Sequence, residues 1–311
     1  MSNLEKDAAE TLLGSDTTES SVTILEPRDV PLGGPRALSV RRTLPQKGRS
    51  LIGAWCFVDH YGPDQQAMDV PPHPHTGLQT VSWLFEGEID HRDGVGSHAV
   101  VAPGALNLMT AGRGIAHSEV SLPQTTTLHG AQLWVALPDS ERHREPFFES
   151  YVPEPVTVGD ATLRVFLGSL AGSTSTARVF SELLGAQVDL PAGASVTLAV
   201  DERFEFGVLL DAGAVSVNGV EVPLNHLAYV PPGSSELTLT AAADARLLLI
   251  GGVPLGEQIV MWWNFIGRTH EEIVEYREDW ESGRRFAPVT GYDGSALHAP
   301  VIPPIRLRPR G

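Results

Sequence analysis

The feature that most limits what this chain can become is its punctuation. Short β-prone runs alternate with tight-turn chemistry. Pro71-Pro72, Asp93-Gly94, Pro103-Gly104 and Gly112-Arg113-Gly114 fall among the runs at 50–60, 78–86, 88–92, 98–101, 105–110, 115–120 and 128–136, after an earlier run at 21–25. Many short strands at this spacing predict an all-β sandwich or barrel. A second series of β-prone runs spans 161–251. Its ending, LAYVPPGSSELTLTAAADARLLLIGG, has the rhythm of AVVAPGALNLMTAGRGIAHSE in the first series: a Pro-Gly turn, then an apolar alternating strand. The chain therefore reads as a duplicated barrel.

Two short pieces of the first series carry chemistry. His73-Pro74-His75 and His117-Ser118-Glu119 each put two metal-capable side chains two residues apart. In a strand, such neighbours point to one face. If both pieces are strands of one barrel, three imidazoles and one carboxylate can converge on a mononuclear metal site. A set of three nitrogens and one oxygen, with no thiolate, favours Fe, Mn, Ni, Cu, Zn or Co over a sulfur-rich structural zinc. Four protein ligands leave two positions open on an octahedral ion. The second series has no such pair, and His226 has no partner two residues away.

The remaining candidates read as structural. His91 and His98 flank the Asp93-Gly94 turn and are expected at the rim, in solvent. His60 and His129 are expected to be satisfied by hydrogen bonds, His143 to be solvated, and His270 to sit in a helix's first turn. Cys56 lies in an apolar run, where thiols are inert. Phe57, Trp83 and Met109 are expected in the barrel core, Trp262 and Trp263 as packing aromatics, and Glu86 and Glu88 in solvent around a hairpin turn.

Composition narrows the function classes. The formal net charge of −16 opposes direct nucleic-acid binding, which needs a basic surface. No apolar run is long enough to span a bilayer, and the polar start lacks a secretory core, so no membrane role is expected. A single cysteine fits a reducing cytoplasm. The expected organisation is a disordered lead-in over 1–20, a metal-binding barrel over 21–150, a metal-free barrel with a helix over 151–285, and a Pro-rich extended tail over 286–311. Residues 138–158 are charged and Pro-rich and read as the linker, with a short helix expected near 139–144. Thr269-His270-Glu271-Glu272 is a capping box, followed by Ile273, Tyr276 and Trp280 at helical spacing and a stop at Gly283.

The blocks PHPHTGLQTVSWLFEGEIDHRD and SHAVVAPGALNLMTAGRGIAHSEVS, with GAQLWVALP and, more loosely, GGVPLGEQIVMWWNFIGRTHEEIV, resemble the pirin family of the cupin superfamily. The likeness runs from about residue 20 to 285. It implies two tandem cupin β-barrels (double-stranded β-helix, or jelly roll) with one metal, usually Fe(II), in the first. The matching ligands are His73, His75, His117 and Glu119. It implies either of two functions. One is a quercetin 2,3-dioxygenase acting on a flavonol-like small molecule, with Glu119 as candidate base. The other is a non-enzymatic, iron-dependent redox sensor that docks a protein partner, a transcription factor or a metabolic enzyme. One position departs from the family: four residues after the second histidine stands Gln79, where glutamate is usual. As a neutral amide near the site it would orient a ligand or water without acting as a base.

Overall fold

The computed structural model describes residues 22–32 and 38–311; the expected lead-in over 1–20 lies outside them. Almost all of the regular structure is antiparallel sheet. In the first half, seven strands run in the order Phe147–Tyr151, Leu106–Thr110, Leu78–Glu86, Leu128–Ala136, Trp55–Asp64, Leu38–Leu44 and Arg28–Leu32. Facing them is a four-stranded sheet in the order Asp69–His75, Ile115–Ser121, Ile89–Asp93 and His98–Val101. In the second half a single nine-stranded sheet curls on itself. Its Glu236–Gly252 strand pairs Ser195–Ala199 at one end and Leu183–Leu190 at the other. Three register shifts against Glu205–Val217 supply the bends, as bulges do in closed sheets.

The two halves meet back to back. Alternation along Leu78–Glu86 turns Leu78 and Leu84 into the first barrel's core, while Val81 and Trp83 face the second half. There Trp83 stacks on Phe166 at 4.6 Å and donates its indole N–H to Gln187. Trp55 donates to the carbonyls of Leu184 and Gly251. Because these strands are covered on both faces, the run Leu128–Ala136 is buried at every position, its polar His129 and Gln132 included.

Three local expectations change. Thr23–Leu25 opens the described chain yet pairs with Leu227–Val230 of the second half. Residues 139–144 make no helix; Pro138 accepts from the amides of Glu141 and Arg142 in a tight turn. Within the expected linker, Phe147–Tyr151 is the edge strand beside Leu106–Thr110.

The helix His270–Glu281 starts at Thr269 with the reciprocal capping bonds intact, and Gly283 follows in a left-handed conformation. Although it comes last in the chain, the helix lies on the first half. It shares a core with Ala116, Phe265 and Phe286. The hairpin formed by Val260–Trp262 and Phe265–Gly267 docks on Thr76 through a parallel bridge to Phe265. Beyond the helix, Leu297 N–H donates to Pro72 and Tyr292 OH donates to Asp69, so the chain's end runs along the strand that carries His73 and His75. No helix among the described residues is long and apolar enough to cross a membrane.

Candidate metal centre

Asp69–His75 and Ile115–Ser121 are antiparallel neighbours, with His117 opposite His73 and Ile115 opposite His75. That register brings the ligand atoms of His73, His75 and His117 within 4.8 Å of one another. The Nε2 atoms of His75 and His117 stand 3.1 Å apart. Between His117 and Glu119 the pairing with Asp69–His75 slips, while pairing with Ile89–Asp93 stays regular and sets Glu119 opposite His91. Glu119 accordingly groups with His117 and His91 rather than with the three-histidine set. All four expected ligands are fully buried, at 0% exposure.

The electrostatics suit a cation. Burial, reinforced by neighbouring imidazoles, holds His73, His75 and His117 far below the usual imidazole range. They are neutral at physiological pH, with lone pairs to give. Burial pushes the Glu119 carboxyl up, and the hydroxyl of Ser82, 3.1 Å from Oε1, pulls it the other way. His73 Nδ1 lies 2.8 Å from the Pro71 carbonyl; a proton there frees Nε2 as a donor atom. Two nitrogens bound at right angles, each about 2.1 Å from one ion, stand about 3 Å apart. The His75–His117 separation matches this. The residues present therefore fit a first-row divalent metal.

The opposing wall is polar at one level. Register aligns Asp59, Gln132, Ser82 and Asn107 across four adjacent strands. Asp59 is clamped by both Nε and Nη2 of Arg42, and Ser82 also bonds Gln132 Oε1. Gln132 Nε2, Asn107 Oδ1 and the Tyr61 hydroxyl are buried with no hydrogen-bond partner among the described residues. One level along, Trp134 stacks on Phe57 at 4.0 Å and meets the His75 ring edge-on at 5.2 Å.

Two sequence expectations fail here. Gln79 does not approach the site. Strand alternation puts it on the face opposite Ser82, where its amide donates to Thr110 Oγ1 and to the Arg178 carbonyl. His91 is not at the rim in solvent: it is buried at 2% exposure, its Nδ1 3.4 Å from His117 Nδ1. The signal for it was present, since His91 and Asp93 are a third pair at strand spacing. His98 does lie in solvent.

A second cluster, His60, His129 and Asp211, spans the two halves. Each imidazole Nε2 lies 2.6 Å from Asp211 Oδ1. Arg41 sits on His60 Nδ1 at 3.2 Å and Arg246 on His129 Nδ1 at 3.4 Å. An arginine only donates. The Nδ1 atoms face the arginine donors, and His60 Nε2 is hydrogen-bonded to the carboxylate. The cluster is a clamp between halves. Cys56 is buried, and burial pushes its thiol up, so it is unreactive.

Comparison with known proteins agrees with this architecture. Residues 37–135 match the family profile Pirin, and residues 185–287 match the Pirin C-terminal cupin domain. A Pseudomonas aeruginosa protein, named provisionally as a quercetin 2,3-dioxygenase, is 42% identical over 282 residues, 89% of each chain. The crystal structure titled quercetin 2,3-dioxygenase from Acinetobacter baumannii superposes with a TM-score of 0.88 at 36% identity, covering 93% of this chain and 97% of that one. The bacterial pirin YhhW from Escherichia coli, solved in complex with nickel(II), shares the fold at a TM-score of 0.59 and 20% identity, over 75% of this chain and all of that one. With both profiles matched in order and a close relative aligned over most of its length, the chain belongs to the pirin family of two-barrel cupins.

Proposed function

We propose that this protein is a mononuclear metal cupin, with Fe(II) as its working ion, that cleaves a flavonol-type substrate with dioxygen as quercetin 2,3-dioxygenases do. One observation carries the reading: three buried, neutral imidazoles converge, two of their nitrogens 3.1 Å apart. His73, His75 and His117 would hold the ion as neutral donors and Glu119 as the anionic one. Bound there, the metal supplies Lewis acidity toward a chelating hydroxyl and carbonyl, and an electron route to dioxygen. The chain's own groups do the rest. Glu119, whose Oε1 accepts from Ser82, would take the substrate hydroxyl proton. Gln132 Nε2, Asn107 Oδ1 and Tyr61 OH offer donors and acceptors to an oxygenated ring system. The barrel wall excludes water from the reacting atoms. Overall, flavonol and dioxygen give a depside and carbon monoxide. The names of the Pseudomonas and Acinetobacter relatives support this choice of substrate.

A second reading, a redox sensor that docks a protein partner, draws on the complete burial of all four side chains, since a sensing ion needs no channel. Oxygen uptake separates the two. Iron-loaded protein mixed with quercetin under air consumes oxygen and bleaches the flavonol band, and His75→Ala does neither. Wild-type uptake no greater than that of the variant sinks the dioxygenase reading.

A further inference from the structure

His91 and Asp93 take no part in the chemistry described so far, yet both are buried and aligned behind His117. His91 Nδ1 lies 3.4 Å from His117 Nδ1, and His91 Nε2 lies 3.4 Å from Asp93 Oδ2. The other carboxylate oxygen, Oδ1, accepts the backbone N–H of Val95 and of Ser97, which locks the Asp93 side chain into the hairpin turn. Phe148 stacks on the His91 ring at 4.5 Å with 20° between planes and fixes its tilt. Three side chains from two paired strands thus form one line: carboxylate, imidazole, imidazole.

Proton bookkeeping along that line follows from which nitrogen of His117 takes the metal. A neutral imidazole carries one N–H and one lone pair. If His117 gives its Nε2 lone pair to a metal shared with His73 and His75, its proton sits on Nδ1. His91 Nδ1 must then accept, so the His91 proton sits on Nε2, where Asp93 receives it. We propose that Asp93 and His91 act as a positioning relay that sets the tautomer and ring orientation of His117, and through it the affinity of the metal site. The proposal rests on the metal reading above. Metal-bound histidines ordinarily lean on a carboxylate or a carbonyl directly; here an imidazole is interposed.

The opposite wiring, His91 and His117 binding an ion through Nδ1 together with Glu119, is also stereochemically allowed. It would use two imidazoles instead of three. The three-histidine arrangement offers more nitrogen donors to a first-row divalent metal.

Asp93→Asn is the decisive variant. Its Oδ1 keeps the turn, because Val95 and Ser97 present donors there. Its Nδ2 then confronts His91 Nε2 with a donor, driving the His91 proton to Nδ1, against the His117 proton. His91→Phe removes the acceptor while keeping the stack on Phe148. His91→Asn restores an acceptor near the Nδ1 position. Affinity and visible spectrum are measured with Co(II) as probe, and urea midpoints of the metal-free proteins control for folding. The expected result is one Co(II) per wild-type chain, about 10–100-fold weaker binding with a shifted spectrum in Asp93→Asn and His91→Phe, and recovery to within a few-fold in His91→Asn. If His91→Phe fails to fold, Asp93→Asn decides. Wild-type affinity and spectrum in Asp93→Asn overturn the relay while leaving the metal site standing. Binding that survives His75→Ala but not His91→Phe overturns it in favour of the opposite wiring. No Co(II) binding by the wild type would instead remove the metal reading itself.

Discussion

At the residue scale, position 79 shows how far a local pattern carries. Gln79 follows His75 by four residues, and its neighbourhood in the sequence suggests a place beside the ligands. The strand it belongs to is buried on both faces, so hydrophobic alternation cannot say which parity faces the metal. Only the pairing does: Ser82 bonds Glu119, and Gln79, on the other face, bonds Thr110 and the Arg178 carbonyl. Gln79→Glu will accordingly leave metal stoichiometry unchanged in elemental analysis. It will lower stability by about 1–3 kcal/mol in urea unfolding, because the new carboxylate loses the donor that satisfies the Arg178 carbonyl and has only a carbonyl and a hydroxyl facing it. Retained stability with lost metal would mean the side chain reaches the site after all. That His73 and His75 share a face, as do His117 and Glu119, was legible because strand spacing is a property of three consecutive residues. His91 and Asp93 carry the same local spacing, but that His91 stands opposite Glu119 is a contact between separate strands that spacing alone does not give.

At the scale of elements, the same limit recurs. Short strands and their turns were readable from Gly and Pro, and the capped helix from Thr269 and Glu272, because both signals are local. Which sheet an element joins is not. Thr23–Leu25 crosses to the second half, and the C-terminal hairpin and helix return to the first. The Asp211 clamp belongs to this scale, since it ties Trp55–Asp64 and Leu128–Ala136 of one half to Glu205–Val217 and Glu236–Gly252 of the other. Burial pushes Asp211 up, but His129, His60 and their hydrogen bonds bring it well below the carboxylate range. Burial alone would lower His60, and it does, against the pull of Asp211. A carboxylate held below its ordinary value stabilises the fold fully above its unfolded pKa of about 3.9, and that contribution drains away as pH falls beneath it. Urea midpoints should therefore be flat from neutrality to about pH 5 as far as this group is concerned, then fall on further acidification. Asp211→Asn should lower stability by about 3 kcal/mol at neutral pH, by leaving Arg246 without its anion and the His60 imidazole without its carboxylate acceptor. It should also flatten the acid limb. An unchanged acid limb in the variant would assign the pH dependence to other carboxylates.

At the scale of the whole molecule, the two halves share a core, and the candidate metal chemistry lies in the first. The second barrel brings no three-residue metal grouping of its own among the described residues; each such grouping includes histidines of the first half. What the second barrel supplies is a wall. Trp55, Trp83, Leu108 and Leu133 of the first half share a continuous core with Phe166, Leu209, Leu248 and Ile250 of the second. The strands on this wall are the ones whose inner faces carry Ser82 and Gln132. Their outward side chains cannot be solvated without loosening the inward ones. Two barrels joined by a thin linker would unfold separately; two barrels sharing a core and the Asp211 clamp should not. Calorimetry of the full chain is expected to give a single cooperative transition. Trp83→Ala removes the indole stacked on Phe166 and the bond to Gln187, at a cost of about 3–5 kcal/mol. The whole transition should then move down intact, and metal affinity should fall with it as the site-bearing strands lose their backing. Two resolved transitions in the wild type, or a variant in which only one half melts earlier, would show that the second barrel is an independent passenger and that the metal-bearing barrel holds its site unaided.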